Sequence, residues 1–113
     1  MPSRPTVRLT APHLRTGPSD RDLLRRIAAG DETALRALRT RHETAVYALV
    51  FAVLNDAVDA EHVVSETFLE VSRHAADLGG QAGSVHAALR SLARARAEVL
   101  RSARGRRAHT GTP

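Results

Sequence analysis

A core for this chain has to be assembled almost without rings. Its 113 residues include two Phe, one Tyr and no Trp, so the interior falls to Leu, Val, Ile and Ala. Such side chains suit helix-on-helix packing better than a sheet. Cys is absent too, which removes disulfides, thiol catalysis and Cys-ligated zinc or iron–sulfur centres. The length suffices for one modest core and is too short for two. With 42% hydrophobic and 26% charged residues, the composition is that of a globular chain. No apolar run approaches the roughly 18 residues of a membrane span, and the first 16 residues lack the apolar segment of a secretory signal. The expectation is a cytoplasmic protein with no membrane partner.

Local signals divide the chain into helices. Residues 1–18 hold Pro2, Pro5, Pro12, Pro18 and Gly17 without apolar periodicity and read as a flexible arm. Ser19 followed by Asp22 fits a capping box, opening a short helix with Leu23, Leu24, Ile27 and Ala28 that stops at Gly30. Asp31 caps a second helix running to about Leu54. Its apolar positions Leu35, Leu38, Ala45, Leu49 and Ala52 alternate by three and four, widened by Val46, Val50 and Val53, with His42 in the gap as a core histidine. Asn55-Asp56 makes a turn, and Asp56 or Asp59 caps a third helix reaching about Ala76. Ala60, Val64, Phe68, Val71 and Ala75 share one of its faces; Asp59, His62, Glu66, Glu70 and Arg73 share the other. Residues 79–83 read as a loop. Ser84 then caps a fourth helix to about Arg104, ahead of Gly105 and a frayed end. No strand signal or internal repeat is found. The predicted fold is all-α: a small bundle of three long helices plus a short N-terminal helix, with the domain at 19–105 and a flexible basic tail at 106–113.

Charge is unevenly spread. The formal net charge is +5 and the basic residues are all Arg. Residues 19–83 carry −4, whereas residues 84–113 carry seven Arg against Glu98 alone. On a helical wheel Arg94, Arg101 and Arg104 fall within roughly 40° of Arg90, opposite Val85, Ala88, Leu92, Val99 and Ala103. Without nearby acids the stripe cannot neutralise itself by i,i+4 pairs. Such a stripe points to an anionic partner. A membrane would need bulky apolar anchors beside it, so nucleic acid is favoured, held mainly through phosphates. Arg96 points nearer the apolar side and is expected to snorkel or to pair with an acid from another helix.

The third helix is the opposite case. Asp56, Asp59, Glu61, Glu66 and Glu70 stand without a base between residues 56 and 70. DNA would repel such a face, so it suits protein docking. Catalysis is not expected. The six His show no metal-ligand spacing, Ser65 and Ser72 imply no oriented triad, and the 79–83 loop lacks the Gly-Lys-Ser/Thr ending of a nucleotide-binding loop. No metal or other cofactor is expected.

These residues resemble a known family. Asp22-Leu23-Leu24, then Ala28-Ala29-Gly30-Asp31-Glu32-Thr33-Ala34-Leu35 and Tyr47-Ala48-Leu49, resemble the opening of region two in extracytoplasmic-function (ECF) sigma factors. Residues 59–69 are similar to that family's polymerase-docking helix, and residues 83–96 to its DNA-facing helix. The resemblance covers about residues 20–107. It implies docking on the β′ clamp helices of RNA polymerase core through Asp59, His62, Ser65, Glu66 and Glu70. It also implies contact with promoter minus-ten DNA through Arg90, Arg94, Arg101 and Arg104, with Gly80 and Gln81 in the loop that captures an extruded base. An anti-sigma protein is a further implied partner. The chain departs from the family at His62 and Ser65, where Asp and Gln are usual, and lacks the usual aromatics near Ser72, Val85 and Ala88. The alternative reading is therefore a protein-interaction module on the same scaffold that reads no promoter.

Overall fold

The computed structural model describes residues 17–110, with side chains through Arg107. Most of the predicted arm lies outside the described residues. Five helices follow one another: α1 (Asp20–Ala28), α2 (Glu32–Leu54), α3 (Ala57–Arg73), α4 (Ala75–Gly79) and α5 (Val85–Thr110). The all-α bundle of three long helices behind a short leading one is therefore present, with one addition: α4, a single turn.

The helix starts are where local chemistry puts them. Ser19 Oγ accepts from the Asp22 backbone N–H at 3.1 Å, and the Asp22 carboxylate accepts from the Ser19 N–H at 3.3 Å, completing the capping box. Asp31 and Asp56 accept from Ala34 N–H and Asp59 N–H at 3.1 and 2.9 Å. Ser84 Oγ accepts from Ala87 N–H at 2.9 Å. Asn55, at φ 55°, ends α2 in the left-handed region that Asn tolerates better than most residues.

Two boundaries differ from the sequence reading. The third helix ends at Arg73, three residues early, because His74 breaks the helical path at φ −126° and α4 restarts beyond it. The last helix passes through Gly105 to Thr110 instead of stopping near Arg104. One glycine costs a helix interior only about 1 kcal/mol, and the Arg and Ala residues on either side are good helix formers.

The core runs along ridges of four-residue spacing. In α2 the buried residues are Ala34, Leu38, His42, Val46, Val50 and Leu54; in α5 they are Val85, Leu89, Ala93 and Ala97. Such ridges interlock when helices pack. A four-residue step advances roughly 40° around the axis, so each ridge winds across its helix. This corrects the wheel-based core. Ala45 and Ala52 are exposed, and Val99 is 68% exposed instead of packed. In α3 the face of Ala60, Val64, Phe68 and Val71 is buried as expected, joined by Val63 and Thr67. Thr67 Oγ1 satisfies itself within the helix by donating to the Val63 carbonyl at 2.8 Å. Each fully buried Leu or Val contributes roughly 1.5–3 kcal/mol relative to exposure.

Candidate nucleic-acid and protein interfaces

Three long helices packed side by side leave three outer grooves, and they sort the candidate residues. Arg90, Arg94 and Arg101 line the groove between α5 and α2, a space of about 710 Å³ floored by Ala45, Ala48, Leu49, Ala52 and Val53. Arg90 and Arg94 are exposed and have no ion pair among the described residues. Arg101 is exposed and pairs with Glu98 one turn back at 2.6 Å. Arg104 departs from this edge. It reaches Asp59 Oδ2 at 3.2 Å and the Leu54 carbonyl at 3.4 Å, tying α5 to the α2–α3 junction. The winding of the helix causes this, since position 104 has rotated toward the side that Ala97 buries.

The acidic residues of α3 are also divided. Glu70 Oε1 accepts from Arg96 at 2.7 Å, Glu66 lies 3.5 Å from the same guanidinium, and Asp59 holds Arg104. These three carboxylates therefore lean toward α5. The expected pairing of Arg96 with an acid from another helix is present. His62, Glu66, Glu70, Leu92, Arg96 and Val99 are among the residues lining the α3–α5 groove, of about 460 Å³. Ser65 lies on the other flank, in the α2–α3 groove, where its Oγ accepts from Arg39 at 3.5 Å. The outward ridge of α3 is Val58, Glu61, His62, Ser65 and Leu69, all exposed, with Val58 at 78% and Leu69 at 43%. The wheel grouped Asp59, Glu66 and Glu70 on one open face; in the structure Arg96 and Arg104 already hold them.

Gly80 and Gln81 are exposed in the link between α4 and α5. This link is held from a distance. The Arg21 guanidinium, on α1, donates to the Gly79 carbonyl at 2.6 Å, to the Gln81 carbonyl at 2.8 Å and to the Gly83 carbonyl. Gly83 sits at φ +89°, a backbone conformation that favours glycine. Sequence reasoning missed Arg21, because contacts spanning 58 to 62 positions leave no local pattern.

His42 is a core histidine, 2% exposed, but it has partners that the sequence did not announce. Its Nε2 lies 2.9 Å from Asp20 Oδ2, and its Nδ1 lies 3.1 Å from Nδ1 of His86. Arg41 donates to the other Asp20 oxygen at 3.0 Å. When His42 donates from Nε2 to an ionised Asp20, its neutral ring accepts at Nδ1, and His86 supplies that proton. The cluster joins α1, α2 and α5 at one point. Among the described residues no group of His, Asp or Glu could hold a metal ion, and no helix is long and apolar enough to cross a membrane.

Comparison with known proteins points to one set of relatives. The chain is 39% identical over 87 residues to the ECF RNA polymerase sigma factor SigK of Mycobacterium tuberculosis, and likewise to that of Mycobacterium bovis. It is 40% identical over 87 residues to SigK of Mycobacterium ulcerans. In each case the match covers 73% of this chain and 46% of the relative, so the chain spans about half the length of the curated relatives it matches. No protein-family model matches the chain, and no solved structure matches it significantly. With the helical fold, this degree of identity over 87 residues supports an ECF sigma-factor domain in this chain.

Proposed function

We propose that the chain is a non-catalytic transcription-initiation module that docks on RNA polymerase through α3 and meets promoter minus-ten DNA through α5. One observation carries this reading. Arg90 and Arg94, without an ion pair among the described residues, lie on the flank of α5 facing α2, while the α3 ridge lies beyond the opposite groove. A polyanion and a protein can then be held at once without competing for one face. On the DNA side, Arg90, Arg94 and Arg101 act on phosphates, and Arg104 joins them only by leaving Asp59. Gly80 and Gln81 meet the strand beside them. On the polymerase side, His62 and Ser65 stand on the exposed ridge, flanked by Asp59, Glu66 and Glu70, and the β′ clamp helices are the partner. An anti-sigma protein covering either face is consistent with the same layout.

A second reading, a protein-docking module that reads no promoter, is favoured by the α5 start. Val85 and Ala88 are aliphatic, one buried and the other half-buried, so neither offers a ring on which an extruded base could stack. Anisotropy titration of the chain, bound to polymerase core, with labelled single-stranded promoter DNA distinguishes the two. The leading reading expects saturable binding that weakens steeply with salt; binding to core with no capture of DNA at any salt supports the second.

A further inference from the structure

Residues 80–84 form an exposed link between α4 and α5, yet the backbone of residues 79–83 is gripped from outside. Three alternate carbonyls, those of Gly79, Gln81 and Gly83, converge on the single Arg21 guanidinium. The planar fork reaches the three acceptors from two separate nitrogens in fixed directions; a lysine ammonium carries its three donors on one nitrogen at the end of a flexible stem. Hydrogen bonds from a charged donor are also shorter and stronger than neutral ones.

The base from which Arg21 reaches is itself fixed. Its neighbour Asp20 is bound to Arg41 and His42, which leads on to His86 at the start of α5. Leu23 and Leu24 bury the opposite face of α1. A Cβ at position 79 would stand 3.7 Å from Leu24 Cβ, so α1 and the start of the link are in close register. Arg21 is thus a rigid peg from α1, and turning these carbonyls inward leaves the Gln81 and Ala82 side chains exposed.

We propose that Arg21 is the positioning residue of this loop: by holding the Gly79, Gln81 and Gly83 carbonyls it fixes the shape in which residues 80–83 meet a nucleobase, and so sets base preference without touching DNA. This rests on the reading that the loop meets nucleic acid. A preorganised loop loses less conformational freedom on binding than a loose one, and only the sequence-dependent part of binding passes through it.

The test uses the full chain with Arg21→Lys, which keeps the charge and removes the fork. One readout is amide hydrogen exchange across residues 80–84; the other is selection of short single-stranded oligonucleotides from a random pool, with oligo(dT) as the nonselective reference. The expectation is exchange faster by about tenfold in that segment alone, preference for the selected sequence reduced by about tenfold, and oligo(dT) affinity within about twofold of wild type. Unchanged exchange, or intact preference despite faster exchange, overturns the assignment. A wild-type chain that enriches no sequence overturns the nucleic-acid reading of the loop and the selectivity given to Arg21, while the exchange rates still decide whether Arg21 holds the loop. Should Arg21→Lys lower helicity throughout, Arg21→Gln read by exchange in α2 and α5 as well as the loop separates a positioning role from a general structural one.

Discussion

The Arg96 guanidinium donates to Glu70 at 2.7 Å, so α5 is already a partner of the acidic side of α3 within the molecule. A basic ligand of α3 must compete with Arg96 for Glu70 and Glu66. Arg96→Gln should therefore strengthen binding of a basic partner, by about threefold to tenfold, if those carboxylates take part in docking. Its stability cost should stay near 1 kcal/mol, because the pair is only partly buried. Calorimetric titration beside a thermal melt checks both; weaker docking would mean that Arg96 itself belongs to the interface.

Arg90 and Arg104 share a wheel sector but not a situation. Arg90 has no ion pair among the described residues, whereas Arg104 is held by Asp59 and the Leu54 carbonyl. Arg90→Ala and Arg94→Ala should each lower the salt slope of DNA binding by about one. Arg104→Ala should change that slope less and instead lower stability by about 1 kcal/mol. Equal slopes for all three variants would show that Arg104 leaves Asp59 on binding.

Much of this fold was legible locally and some of it was not. Ser19, Asp31 and Asp56 declare helix starts through side chains that bond within three residues, and the Ala60–Val64–Phe68–Val71 face follows from helical spacing. The wheel failed at Val99, Ala45 and Ala52 because a winding i,i+4 ridge does not stay in one sector. The contacts of Arg21, Arg104 and His86 were beyond reach for a different reason. Each joins helices distant in sequence, and nothing near those residues encodes the partner.

His42 bonds Asp20 and His86 with almost no exposure, so deleting its ring leaves polar groups without their buried partner. His42→Leu should cost about 2 kcal/mol in chemical denaturation. The loss should appear also as faster hydrogen exchange in α1, which the cluster ties to α2 and α5. A neutral or stabilising result would mean the site prefers apolar filling.

The Ser19 backbone N–H, with the Arg25 guanidinium and the Ser19 hydroxyl, holds the Asp22 carboxyl below its ordinary value of 3.8. A lowered folded-state value means that this stabilisation is complete above the ordinary value and is lost as pH falls through the folded one. Asp22→Asn should thus melt below wild type at neutral pH, with the gap closing only under acid conditions below about pH 4. A gap independent of pH would assign the effect to the capping geometry alone.

The most direct test of the docking claim is calorimetric titration of this chain with an isolated β′ clamp-helix fragment, wild type beside Glu66→Arg. Glu70 keeps its Arg96 partner in that variant, so the fold should survive. The account predicts saturable binding by wild type and a loss of about tenfold or more in Glu66→Arg. A folded wild-type chain that binds no clamp helices, or a Glu66→Arg variant that binds as tightly as wild type, would contradict it.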